Sequence, residues 1–336
     1  GSYLLAFAAS RKSLYLTGKR PFSTPALTRS QTDEVIAAGR DYFPVDGQSG
    51  YDRRTTDQLL AGLSSWSPAV RGRSAEALGK REGDFVPVLL KLLSDPRPQA
   101  RYGACEALGR LGPRADAAAP QLRALLKDSD PWMQSLAALA LPNLSPQLRT
   151  ASVDDLLTMS LRPNPADPRR MAQRAACVAL FSPYPGRREP KSILTDSLDG
   201  VDRKLLYPVI ESVLQNEDPV ARGSLARVYG KLTDEDLAVL LPAIVKAVEQ
   251  LAPSNEMFGD GIRLAGLDLL SQRRIREGLP LCVSVIELDR WGAGNRLPKC
   301  LEYLSRYGAH AKDYLPQLRE MRNSALKIAR GNAKSE

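Results

Sequence analysis

The chain has 336 residues, with 47 Lys and Arg against 38 Asp and Glu, a formal net charge of +9 and a single histidine, His310. At 43% hydrophobic and 25% charged it is neither collagen-like nor disordered throughout. No apolar run approaches the roughly 20 residues of a membrane helix. Lone His310 excludes sites built on paired histidines, and the charge is spread: +2 over residues 1–60, +2 over 61–160 and +5 over 161–336.

Gly1-Ser2 reads as a cloning scar ahead of the apolar stretch Tyr3–Ala9. No initiator Met and no charged region precedes that stretch, so it is not a signal peptide, and the chain is expected to be a piece of a longer protein. Tyr3–Ser10 reads as the end of a helix and Gln31–Arg40 as a short one, capped by Thr32 or Ser30. Pro21, Pro25, Pro44 and the turn-rich Val45–Gly50 lie around them. Residues 1–52 are therefore expected to form a non-repeat helical segment and linker, the remnant of a preceding domain.

From residue 53 the chain repeats itself, which decides the fold class. A phrase of apolar residue, proline, any residue, apolar residue recurs at Pro87, Pro120, Pro208, Pro242, Pro280 and Pro316, at spacings of 33, 88, 34, 38 and 36 residues. The spacing of 88 is two periods with one degenerate copy between. Each proline opens an apolar stripe, for example Val86, Leu89, Leu90 and Leu93, at the i, i+3, i+4, i+7 spacing of one helix face. Proline is tolerated in a first turn, where its missing N–H has no intrahelical partner. Pro242 lies deeper in its stripe, which predicts a kink or a later helix start.

A second phrase alternates with the first: Pro68-Ala69-Val70-Arg71 with Ala75–Gly79, and Pro98-Gln99-Ala100-Arg101 with Ala104–Gly109. Weaker copies start at Pro131, Pro168 and Pro219, and two further pairs follow, Ile262–Leu270 with Leu279–Ile286 and Pro298–Tyr307 with Ala311–Met321. Gly79, Gly109 and Gly112 suit helix C-termini. No segment of strand period is long enough to argue for a sheet. The expected architecture is all-α, about seven helix–turn–helix pairs over residues 53–328, followed by a disordered tail, 329–336.

The Asp95-Pro96 and Asp218-Pro219 turns, the Arg a few residues on, the Ala-rich helix and the proline-opened Leu helix together resemble HEAT repeats. That resemblance implies a right-handed α-α superhelix, and binding or scaffolding in preference to any one chemistry. More narrowly, Tyr3–Gly18, Ser197–Arg203, Glu256–Phe258 with Asp260–Gly266, and Asp289–Gly292 are similar to the C-terminal HEAT region of large uncharacterised bacterial multidomain proteins. This narrower likeness implies no mechanism. In HEAT-like stacks the recurrent Arg, here Arg71, Arg101 and Arg222, usually pairs with the turn Asp of a neighbouring unit, here Asp95, Asp130 or Asp218.

Signals for chemistry are weak. Thr17-Gly18-Lys19 lacks the preceding glycine and strand of a phosphate loop. Cys105, Cys177, Cys282 and Cys300 lack zinc spacing and sit among apolar residues as small core residues. His310, in Gly308–Lys312, reads as a solvent-facing first-turn residue. No catalytic residue, metal or cofactor is implied.

The loops between pairs are more informative, because equivalent loops of a stacked array share an edge. Three of them carry Trp132, Met257-Phe258 and Trp291, with Asp260, Arg263, Arg290 and Arg296 alongside. Exposed aromatics beside Arg are what binding hot spots use. The plainer reading folds each aromatic down over a helix end. The insertion Ser182–Asp202, with Pro183, Pro185, Gly186 and Arg187-Arg188, reads as a mobile or partner-ordered loop.

The expected function is a non-catalytic protein-interaction scaffold within a larger polypeptide, its partner another protein or other domains of the same chain. The alternative is a nucleic-acid binder, or an enzyme like the HEAT-repeat DNA glycosylases. It needs Lys91, Arg123, Lys127, Lys204, Lys246, Arg319 and Arg322 to converge in one concave groove. A third possibility is carbohydrate or small-ligand binding along the Trp132–Trp291 edge.

Overall fold

The computed structural model describes residues 28–40, 50–181, 192–194, 197–216, 218–250, 259–288, 290 and 292–332. The chain divides into two compact units, one of Gly1–Asp155 with Asn164–Ala172 and one of Leu156–Pro163 with Gln173–Glu336. Every regular element among the described residues is helical, and the helices pair in chain order, so the fold is an all-α helical solenoid.

The first unit opens with α1 (Arg29–Arg40) and α2 (Thr56–Gly62). Thr28 caps α1: its Oγ1 accepts from the Gln31 N–H at 3.2 Å and its own N–H donates to Gln31 Oε1 at 2.9 Å. The cap therefore precedes the expected Ser30 or Thr32, which lie inside the helix. The first two pairs are α3 (Pro68–Gly79) with α4 (Val86–Leu93), and α5 (Pro98–Leu111) with α6 (Ala119–Leu125). Helix α7 (Pro131–Ala140) and the short α8 (Pro146–Thr150) follow, and α9 (Val153–Leu161) completes the third pair without a proline, which is the degenerate copy. The second unit continues with α10 (Met171–Phe181) and α11 (Arg203–Leu214), then α12 (Pro219–Ser224) with α13 (Asp234–Glu249). Helices α14 (Gly259–Gln272) with α15 (Gly278–Ser284), and α16 (Ala293–Ser305) with α17 (Leu315–Asn332), complete it. Helix α17 runs four residues past the expected boundary at 328.

Small residues set how closely the first helices of successive pairs approach. A Cβ on Gly103 would stand 2.0 Å from the Leu63 carbonyl oxygen, so the middle of α5 lies directly on the end of α2. Gly109 is inside α5, not at its end, and faces Ala140 of α7, to which a Cβ would come within 3.2 Å. Gly112, with φ of +61°, supplies the left-handed turn after α5 that a side chain would disfavour.

Helix starts follow local chemistry. Asp130, Asp202 and Asp218 each cap the helix that follows by accepting backbone N–H bonds, and Thr233 forms a reciprocal capping box with Asp236. That box starts α13 eight residues ahead of Pro242, so the helix begins early and runs through the proline. The six recurring prolines are all exposed, where a carbonyl left without its helical donor can meet solvent.

The expected Arg–Asp pairing is replaced by a different arrangement. Arg71 donates from Nη1 to the Ser65 and Trp66 carbonyls at 2.9 and 3.0 Å, and Arg222 donates to the Leu214 carbonyl at 2.5 Å. Gln134 and Gln173, at the same place in their pairs, donate to the Asp128 and Ser160 carbonyls at 2.8 and 3.1 Å. Arg263 donates to Val248 O at 2.9 Å, and Arg296 to Ile286 O at 3.2 Å. Each of these side chains reaches back to the last turn of the helix before it or to the loop just past it, where carbonyls have no intrahelical donor. Of Arg71, Arg101 and Arg222, only Arg101 takes a carboxylate, that of Asp128. Asp95 instead binds Arg97 at 2.9 Å, while Asp130 and Asp218 accept from Tyr102 and Arg174 at 2.5 and 3.2 Å. Bridges between neighbouring pairs thus come from the recurrent Arg101 and from Tyr102 and Arg174, each the residue after a recurrent one.

Candidate functional site

The expected binding edge is placed only in part. Met257, Phe258 and Trp291 lie outside the described residues, as does the side chain of Asp260 and the Thr17-Gly18-Lys19 stretch. Arg263 and Arg296 are not edge residues: they are 3% and 0% exposed and act as the carbonyl clamps of their pairs. They lie next to loops in sequence, but both point inward from the first turns of α14 and α16. Together with half-buried Arg290 they surround one carboxylate: Arg263 Nη2 and Arg290 Nη1 reach Glu287 at 3.0 and 2.9 Å. Arg296 also donates to the Glu287 and Arg290 carbonyls at 2.9 and 3.1 Å. Glu287 has φ of +45°, a backbone conformation disfavoured for a residue with a side chain. The cluster anchors the α15–α16 turn.

Trp132 is different. It is the second residue of α7, held by its own N–H bond to the Asp130 carboxylate at 2.9 Å, and its side chain stands in solvent at 57% exposure. Leu139, seven residues on, is also exposed, and half-buried Leu136 lies between them. Spacing of i, i+4 and i+7 puts the three on one face. The opposite face, Met133, Ala137, Ala138 and Ala140, is buried, with α7 packed on α5 and α6. No residue of α7 is charged. It therefore carries two apolar faces, one inside the unit and one open. Leu136 and Leu139 lie within the helix, outside the loops that carry the expected edge. A ten-residue helix without a charge was the available signal.

The seven basic residues of the groove reading, Lys91, Arg123, Lys127, Lys204, Lys246, Arg319 and Arg322, are all exposed. Counted from the recurring proline, no two of them within one unit occupy the same position of the repeat. Lys91 and Lys246 share one position, held elsewhere by Ala124, Ser212, Ser284 and Glu320, and Arg123 and Arg319 share another, held elsewhere by Leu90, Glu211, Val245 and Val283. Arg123 is bound to Asp155. Within either unit, repetition brings no second of these cations into line with the first.

The remaining features are structural. Cys105, Cys177, Cys282 and Cys300 are buried free thiols, and His310 is exposed in the turn Gly308–Tyr314, both as expected. The described end of the 182–202 insertion packs down: Ile193 and Leu194 donate to the Ala179 and Leu180 carbonyls at 3.0 and 2.8 Å. Leu194 and Leu198 are buried, and Arg203 holds the Leu198 and Val201 carbonyls at 2.6 and 3.1 Å. A cavity of about 610 Å³ in the first unit is lined by Glu34, Tyr51, Arg54, Gln58 and Arg97 among others. Its charges are already answered in part, Glu34 by Ser65 and Arg97 by Asp95.

Buried Asp236 and half-buried Glu106 have opposite electrostatics. Burial works to raise the Asp236 pKa, but bonds from Arg203, the Thr233 backbone and Tyr207 outweigh it and hold it down to about 2. Burial pushes Glu106 up to about 7, with Arg71 and Arg110 pulling the other way.

No helix among the described residues is long and apolar enough to cross a membrane. No curated protein matches the chain. Residues 56–141 and 86–177 each match the family model of HEAT repeats, so from the start of α2 into α10 the chain is similar to HEAT repeats.

Proposed function

We propose that the chain is a non-catalytic protein-interaction scaffold, part of a larger multidomain protein, with residues 53–328 as its repeat-built module. HEAT repeats commonly mediate protein–protein interaction. The observation that carries the reading is the open Trp132–Leu136–Leu139 face. An exposed Trp is a residue type enriched in interface hot spots, and the Leu residues beside it extend the exposed apolar patch. Nucleic-acid binding is the weaker alternative, because the repeat does not align its cations.

The test compares proteins retained from source cells by the unaltered chain, by a Trp132→Ala/Leu139→Ser variant and by a Lys91→Ala control. Partners retained by the chain and the control but lost from the face variant support the reading. Truncating a central Trp typically weakens binding by about 2 kcal/mol or more, roughly thirty-fold. Equal retention by all three overturns it. So does tight binding of labelled DNA in an anisotropy titration that collapses between about 50 and 200 mM salt.

A further inference from the structure

The α3–α5 contact contains two buried polar atoms of opposite character, neither with a hydrogen-bond partner: Arg71 Nε on α3 and Glu106 Oε2 on α5. Arg71 is 7% exposed and its guanidinium lies 5.5 Å from the Tyr102 ring centroid. Its Nη1 holds the Ser65 and Trp66 carbonyls of the loop before α3, leaving Nε unused. Gly72 gives the carboxyl room, since even a Cβ there would stand 3.8 Å from Glu106 Oε2.

We propose that Glu106 and Arg71 form a proton-operated latch between α3 and α5: the neutral carboxyl leaves Arg71 on the loop carbonyls, and release of its proton to solvent draws Arg71 Nε onto Glu106 Oε2. Burial places this change near pH 7, with Arg71 and Arg110 opposing the shift. Burial likewise works against the Arg71 charge, and Glu106 is the first group to favour it.

The other charges around α5 are engaged elsewhere or exposed. On α3, Glu76 pairs with Lys80 at 3.9 Å, and Arg73 has an interaction of its own. On α4 the one charge is exposed Lys91, while α7 and the turn Leu141–Asn143 carry no titratable residue. In the turn Gly112–Ala118, Arg114 holds the Gly79 and Arg81 carbonyls and Asp116 accepts from the Ser145 N–H at 3.0 Å. Within α5, Arg101 and Tyr102 are bound to Asp128 and Asp130, Arg110 is exposed, and burial pushes the Cys105 thiol far above neutrality.

The latch is read through Trp66, whose carbonyl Arg71 holds. In a chain with Trp132→Phe and Trp291→Phe, Trp66 emission is followed from about pH 5.5 to 8.5. A sigmoidal change near pH 7, abolished by Glu106→Gln and preserved in His310→Gln, is expected. His310 is the control because it is the single histidine of the chain. A flat profile, or a change that survives Glu106→Gln, overturns the proposal. Should Glu106→Gln fail to fold, the side-chain carboxyls of the unaltered protein, labelled with carbon-13 at glutamate, decide it by NMR. One glutamate titrating about two pH units above the rest is expected, and a set that all titrates near the ordinary value of about 4.3 overturns it.

Discussion

Replacing Arg296 tests the clamp arrangement most directly. Its side chain is fully buried, the largest such among the described residues, and it donates to the carbonyls of Ile286, Glu287 and Arg290 while lying 3.9 Å from the Glu287 carboxylate. Leaving a buried acceptor without its donor costs about 1–3 kcal/mol, and removing one partner of a buried charged network about 3–5 kcal/mol. Glu287 and Arg290 are half-buried, so water recovers part of the loss there, and Arg296→Ala is expected to cost about 4 kcal/mol. Arg296→Met refills the volume without restoring a donor and should recover less than half of that. Arg296→Gln keeps one donor, as Gln134 and Gln173 do in their own pairs, and should cost about 2 kcal/mol. Urea unfolding followed by circular dichroism gives the ordering. Hydrogen exchange of the α15–α16 turn localises it, since a unit of stacked pairs need not unfold in one step. If Arg296→Met were as stable as the unaltered chain, Arg296 would be filling space and the clamp account would be wrong.

Three other outcomes follow from the geometry. Gly103→Ala places a methyl where the Leu63 carbonyl already stands, and should lower the stability of the first unit by about 3 kcal/mol, measured as a fall in its urea midpoint. Asp236 is ionised well below the usual carboxylate range, so it contributes stability that is complete above about pH 4 and lost as pH falls through its folded value of about 2. Asp236→Asn should accordingly flatten acid unfolding over that interval while lowering stability at neutral pH. Trp132→Ala and Leu139→Ser, by contrast, remove little buried contact and should leave the thermal midpoint of the chain within about 2 °C.

The sequence discloses the helices readily because proline, apolar period and capping Asp act within a few residues of where they stand. The recurrence of Arg71, Arg101 and Arg222 was equally plain, yet their partners were not. Asp95, Asp130 and Asp218 are visible as acids, whereas a helix-end carbonyl is present at every residue and leaves no mark in the sequence. The same limitation explains Arg263 and Arg296, whose place beside long loops hid that they point inward from helices. Trp132 was singled out as a loop aromatic, but its exposure depends on which face α7 turns toward α5 and α6, a matter of tertiary packing. The later helix start expected at Pro242 does not occur for the opposite reason: local rules place proline at a helix start, but the Thr233–Asp236 box begins the helix ahead of it.

The clamps bear on how the array responds to load. Each joins the end of one pair to the start of the next, so bending between pairs must stretch a hydrogen bond, whereas bending inside a pair need not. Charged clamps resist such strain more strongly than neutral ones. The two amide clamps, Gln134 and Gln173, bracket the stretch of chain in which the division between the two units falls. Under tension or mild denaturant, the amide-clamped junctions, and the one before α5 where Arg101 turns to Asp128 instead, should yield before those held by a charged clamp.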